Sequence, residues 1–217
     1  MLADVAGSWT PVAISADLPA GTVLPVLVPA GKLALWRSQS GRLSASADRC
    51  PHRGMSLSHG FVRGEALSCI YHGWSYSQAG HCLRIPAHPG LTPPETIRVE
   101  THRVEETGGL VWVAAGEPAG APPEFEGLVP LRTLIVAAGV PAIETAAGAK
   151  ADEAGLLRVS SDDADMHCLL ASQGEAQTLV HVLTNDGTSP AQKIAASRAA
   201  ETLRRAAEAI AARGIAA

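Results

Sequence analysis

The first half of the chain is written in short apolar runs broken by turn residues. Residues 9–15 (WTPVAIS), 22–28 and 32–37 are rich in Val, Leu and Trp, at strand length. Pro11 in the first run cannot donate to a ladder, which predicts a sheet edge there. Leu18-Pro19-Ala20-Gly21 reads as a turn, and Ser38–Gly41 as a second one that folds 42–47 back on 32–37 as a hairpin. Shorter strands follow at Phe61–Val62 and Ala66–Ser68, and a hairpin pairs Trp74–Tyr76 with His81–Leu83 across Gln78–Gly80. Residues 97–104 and 109–114 close the series. Short strands at this spacing predict an all-β sandwich or barrel. Residues 116–130, GEPAGAPPEFEGLVP, read as a linker.

The pattern then changes. No aromatic residue follows Phe125, and Ala, Val and Leu dominate. Residues 133–137, 156–161, 165–171 and 177–184 read as strands, with Gln173-Gly174 turning between the last two. Ser189-Pro190-Ala191-Gln192 has the form of a capping box with proline at the first helical position. It predicts a helix to about Arg213, stopped by Gly214, of ~24 residues and ~36 Å. The stripe Ile194, Ala199, Leu203, Ala206 and Ile210 is its expected packing face. The expected architecture is a mainly β, all-β N-terminal domain over 1–117. A small α+β part over 118–217 follows, with a linker, a few strands and one long C-terminal helix.

Chemistry is concentrated between Cys50 and Trp74, CPHRGMSLSHGFVRGEALSCIYHGW. Cys50-Pro51-His52 and Cys69-Ile70-Tyr71-His72 each offer one thiolate and one imidazole, with sixteen residues between His52 and Cys69. Gly54 and Gly73 follow closely and allow the tight backbone that wraps an inorganic centre. Two metals compete for such a set. Zinc sites group or mix Cys and His at two-to-four spacing. The second candidate is a [2Fe–2S] cluster in which two His replace two Cys on one iron.

The stretch resembles the Rieske signature, C-x-H, about sixteen residues, then C-x-x-H. The resemblance implies that Cys50 and Cys69 bind one iron, and His52 and His72 the other, of a Rieske-type [2Fe–2S] cluster. Two thiolates and two neutral imidazoles leave the oxidised unit near neutral, so its potential lies in a window of roughly −150 to +300 mV. Respiratory Rieske proteins carry an extra cysteine in each loop and a serine after the second His-Gly; Met55, Tyr71 and Trp74 stand near those places here. CPHRG, CIYHGW, the Gly80–Pro86 segment and GLVW at 109–112 look like the Rieske domain of Rieske non-haem iron oxygenases, nearest the vanillate O-demethylase-like group. The resemblance runs from about Trp9 to Pro118.

That family also carries a mononuclear iron on two His four residues apart on a helix, with a carboxylate. Beyond His102 this chain has only His167 and His181, fourteen apart on expected strands. The C-terminal part therefore resembles a truncated helix-grip domain without the mononuclear iron motif. The resemblance implies an electron-transfer component or subunit of an oxygenase system. Its partners would be a reductase or ferredoxin as donor and a mononuclear-iron oxygenase subunit as acceptor, in an oligomer. Two other roles stand beside it. One is a complete but divergent oxygenase whose iron site is built from His167 and His181 facing each other across the hairpin, with Asp163 and Asp165 nearby. The other is a non-enzymatic redox or oligomerisation module. His59, His81, His88 and His102 read as surface or loop histidines, and Tyr71 and Trp74 as aromatics that shield the cluster or fill the core.

Composition narrows the setting. A formal charge of −4 and a pI near 6.0 give no footprint for nucleic acid or anionic membrane. With two cysteines ligating iron, Cys82 reads as an ordinary strand residue next to the cluster and Cys168 as a small hydrophobe. No basic start precedes an apolar run, and no eighteen-residue apolar stretch occurs, so the expectation is a cytoplasmic protein.

Overall fold

The computed structural model describes residues 9–114, 116–161 and 164–215. Its strands in chain order are β1 (Trp9–Ile14), β2 (Thr22–Val28), β3 (Gly31–Arg37), β4 (Leu43–Ala47), β5 (Phe61–Arg63), β6 (Ala66–Ser68), β7 (Ser75–Tyr76), β8 (Cys82–Arg84), β9 (Thr101–His102), β10 (Val104–Thr107), β11 (Leu110–Ala114) and β12 (Leu128–Val136). Helix α1 (Val140–Ala147) precedes β13 (Leu156–Ser161), β14 (Ala164–Ser172), β15 (Thr178–Asn185) and helix α2 (Pro190–Ile215). The fold is mostly β with one long C-terminal helix, the class the sequence predicts. Among the described residues no helix is long and apolar enough to cross a membrane.

Backbone contacts divide the chain into two compact units. One runs through Glu106 and takes in Val111–Pro122; the other combines Thr107–Leu110 with the chain from Pro123 onward. The first holds three sheets, ordered β1-β11-β10, β2-β3-β4-β9 and β5-β6-β7-β8. β1 lies at an edge, where Pro11 costs no hydrogen bond. β3 is the wall on which this unit is built. Strand side chains alternate between faces, so Leu33 and Leu35 point into a core with Val12, Leu18, Val111 and Val113. Ala34 and Trp36 point into a second core with Cys50, Leu57, Leu67, Cys69 and Tyr76. The second core lies beneath the Cys/His loops.

The strand expected over 97–104 is broken. His81 bridges Arg98, and pairing resumes only at β9, with β10 a separate strand in another sheet. The expected linker is also shorter at its end, because β12 already begins at Leu128 and pairs Leu128 with Asn185.

The second unit is the sheet β12-β15-β14-β13, with both helices against it. Ser189 caps α2 as the sequence predicts: the Gln192 N–H donates to Ser189 Oγ at 3.3 Å, and the Ser189 N–H donates to Gln192 Oε1 at 3.1 Å. The packing stripe is corrected. Ala196, Ala200, Leu203 and Ala207 are the buried positions, whereas Ile194 is 55% exposed. Small side chains win because they bring the helix axis close to a sheet already filled by Leu134, Val136, Leu157, Met166, Leu170, Val180 and Val182. Beneath Leu203 and Arg204 remains a void of about 10 Å³, which is on the order of one water. Helix α1 was not expected. It opens after Gly139 with a proline in its first turn and stops at Gly148, whose φ of +65° suits glycine. Eight residues burying one large side chain, Ile143, leave little periodicity to read.

Candidate metal centre

The two Cys/His loops have the same backbone. In the first, the Cys50 N–H donates to Met55 O and the Gly54 N–H to Cys50 O, both at 2.8 Å. In the second, the Cys69 N–H donates to Trp74 O and the Gly73 N–H to Cys69 O, both at 2.9 Å. Gly54 and Gly73 close the turns at φ +73° and +69°, a region costly for any residue with a Cβ. At Gly73 a Cβ would also lie 3.1 Å from Pro86 Cγ. The first loop is further anchored by Asp48, which accepts hydrogen bonds from Ser58 N and Oγ at 2.7 and 2.8 Å.

The loops sort their side chains by chemistry. Both cysteines are 2% exposed, in one core cluster. His52 is half-buried and His72 exposed, with ring centroids 4.7 Å apart. The structure thus gathers the four residues in two pairs, the cysteines in one buried core and the imidazoles 4.7 Å apart nearer the surface. Among the described residues no three His, Cys, Asp or Glu side chains are grouped to hold a single metal ion. A two-by-two arrangement is the donor set of a dinuclear cluster with one sulfur-ligated and one nitrogen-ligated iron.

Electrostatics favour the same division. Burial pushes the Cys69 thiol up, eased by the Tyr71 N–H and raised further by Cys50 beside it. Loading metal there must release that proton. Partial burial, then the charges of His72 and Arg53, hold His52 below its ordinary value of 6.5. It therefore presents the neutral, metal-binding imidazole at pH 7. Trp74 stacks on His52, 4.3 Å between centroids and 4° between planes, which fixes the ring's orientation. Tyr71 fills no core: it is 58% exposed, beside His72 at 3.9 Å.

One functional contact was missed in the sequence. The Tyr76 hydroxyl lies 3.1 Å from Cys50 Sγ in the buried core. Burial, then the bond to Cys50, pushes the phenol pKa upward, so the hydroxyl stays protonated and donates to a Cys50 thiolate. Such a bond stabilises the more negative, reduced state of a bound cluster. Tyr76→Phe is expected to lower the reduction potential by about 40 mV, taking about 1 kcal/mol of differential hydrogen bonding for one electron. Protein-film voltammetry reads the shift. Cys82, in the same core, is a thiol raised by burial whose Sγ contacts Arg84 O at 3.8 Å.

Among the described residues the alternative iron site of the second unit is not assembled. β14 pairs β15 with Leu169 opposite His181 and His167 opposite Leu183. The two histidines are therefore diagonal, two residues out of register. His181 Nδ1 is 2.9 Å from Thr133 Oγ1 instead. Asp163 lies outside the described residues. Cys168 is fully buried, its thiol pushed up to about 12. Burial, then the Arg158 charge, holds His167 below 6.5, against a smaller opposing pull from Asp165. The unfolded chain then takes up the proton first. Stability is thus full above pH 6.5 and falls as pH drops below it. Chemical denaturation across pH 5–7 is expected to show this slope, and His167→Gln to flatten it.

The sequence profile of the Rieske [2Fe-2S] domain matches residues 8–101. Among curated relatives, the chain is 42% identical over 115 residues to an oxidoreductase, NdmD, of Pseudomonas putida, covering 52% of this chain and 20% of that protein. It is 39% identical over 128 residues to a 4beta-methylsterol monooxygenase of Methylococcus capsulatus, covering 55% of this chain and 35% of that protein. The chain thus spans a fifth to about a third of the length of these relatives. The crystal structure of apo dicamba monooxygenase superposes with a TM-score of 0.74 at 20% identity, over 96% of this chain and 87% of that chain. That likeness is one of fold and extends through the second unit. With matched loops, two buried cysteines and two imidazoles nearer the surface in place, residues 8–101 are a Rieske [2Fe-2S] domain, whose cofactor is a Rieske-type [2Fe-2S] cluster.

Proposed function

We propose that Cys50 and Cys69 ligate one iron of the cluster and His52 and His72 the other. We further propose that the protein is the electron-transfer component or subunit of a Rieske-type oxygenase system. It takes single electrons from a reductase or ferredoxin and hands them to a mononuclear-iron partner. The observation that carries this reading is the asymmetry of exposure: both sulfurs are sealed at 2% while His72 stands in solvent. Bound in these loops, the cluster supplies a one-electron couple in the window of roughly −150 to +300 mV.

The chain's own residues do the rest. Trp36, Leu57, Leu67 and Tyr76 exclude water from the cysteine side, Tyr76 donates to Cys50, and Trp74 holds the plane of His52. His72 offers the exposed edge through which a partner is reached. The assignment of domains follows: the Rieske domain over 1–117, and over 118–217 an α+β region that serves as a truncated helix-grip support. A reducing cytoplasm suits it, since none of the four cysteines pairs in a disulfide.

Iron and acid-labile sulfide analysis of the purified protein, followed by anaerobic mixing with a reductase, tests the proposal. Iron and sulfide in equal amounts, with reduction of the cluster by the reductase, is the expected result. A further iron without sulfide would make the chain a complete oxygenase instead.

A further inference from the structure

The surface beside His72 combines exposed apolar side chains with nearby arginines. Ile70 and Tyr71 stand 55% and 58% exposed in the second loop. Three arginines lie on the first loop and on the strand beside the second. The Arg49 guanidinium lies 3.6 Å from where a Cβ on Gly54 would sit, so it covers the first loop. Arg53 follows His52 in the first loop. Arg84 ends β8 opposite Ser75, the residue after Trp74, and two residues beyond it Pro86 touches Gly73. All three are exposed. Among the described residues none of them has a carboxylate within ion-pair distance.

The imbalance extends along the chain. Residues 49–94 contain four arginines and one carboxylate, Glu65, within a protein of net charge −4. Glu65 is tied up by Ser40, whose N and Oγ donate to it at 3.1 and 2.8 Å. Unpaired guanidiniums are planar forks matched to carboxylates. An apolar centre with a charged rim is the anatomy of a protein interface. An anionic membrane surface is recognised by denser basic clusters, of roughly four to eight Lys or Arg.

We propose that Ile70 and Tyr71, together with Arg49, Arg53 and Arg84 on the adjoining loop and strand, form a docking face for an acidic redox protein, one presenting carboxylates beside an apolar centre. This rests on the electron-transfer role proposed above. The arginine charges steer the encounter and set its salt dependence. The apolar pair holds the partner against the imidazole edge.

The probe is a strongly acidic plant-type [2Fe–2S] ferredoxin, with binding to the immobilised holoprotein followed by surface plasmon resonance. Affinity is expected to fall steeply as salt is raised past the point where the screening length drops below about 10 Å. The double variant Arg49→Gln/Arg84→Gln should bind about tenfold more weakly at low salt and lose most of the salt dependence. Tyr71→Ala should weaken binding and leave the salt slope unchanged. The visible spectrum and the dithionite reduction of each variant should match those of the parent protein. Binding by the double variant equal to that of the parent overturns the proposal. So does equal binding of basic cytochrome c, or uptake by phosphatidylserine vesicles without ferredoxin binding. A protein lacking a [2Fe–2S] spectrum defeats the electron-transfer reading itself; an intact spectrum with salt-independent ferredoxin binding defeats the docking face alone.

Discussion

His72→Cys is expected to retain a two-iron cluster while its reduction potential falls out of the Rieske window, roughly −150 to +300 mV, toward the roughly −400 mV of plant-type centres. A third thiolate makes the oxidised unit more negative, so adding an electron costs more. The same change removes one of the two imidazoles whose deprotonation couples potential to pH, so the pH slope should shrink. The position is well chosen for this test. His72 is exposed and lies in a loop whose backbone is set by Gly73 and the Cys69–Trp74 hydrogen bond, so the substitution leaves the fold alone. Redox titration at several pH values reads both effects, and an unchanged potential would contradict the ligand assignment.

Trp36→Ala is expected to cost about 3–5 kcal/mol, the range for emptying a large aromatic site in a core. That is a large fraction of a domain's roughly 5–15 kcal/mol. Trp36 is 1% exposed and packs in the same core as Cys50, Cys69 and Tyr76, so the cluster should also be lost faster to chelators. Tyr71→Ala, at a side chain 58% exposed, should change stability by no more than about 0.5 kcal/mol. Urea unfolding followed by tryptophan fluorescence and by cluster absorbance separates the two variants. Equal stability losses would mean that the water-excluding core has been drawn in the wrong place.

The two Cys/His loops were legible because their information is local. Two cysteines and two histidines at fixed spacing, each pair followed by a glycine, specify two turns with little help from the rest of the chain. Hairpins such as β3–β4 were legible for the same reason, as was the capping box at Ser189. What the sequence hid depends on packing at a distance. Tyr76 reads as one aromatic on a two-residue strand; only the closure of β6 on β7 brings its hydroxyl to Cys50. Tyr71 looks like a core aromatic until the second loop turns it outward. The face of α2 was misread because Ile194 outweighs Ala196 in hydrophobicity, whereas the sheet selects the smaller side chain. The His167–His181 pairing failed on a two-residue register shift, which no local signal near Gly174 discloses.

The claim at the centre of this account is that a single cluster is held by sulfur on one side and nitrogen on the other. Pulsed electron paramagnetic resonance of the dithionite-reduced protein tests it most directly. Hyperfine coupling to two imidazole nitrogens, with one coupling lost in His72→Cys, is the predicted result. A reduced cluster showing no nitrogen coupling, or a protein that holds zinc and gives no signal, would contradict it.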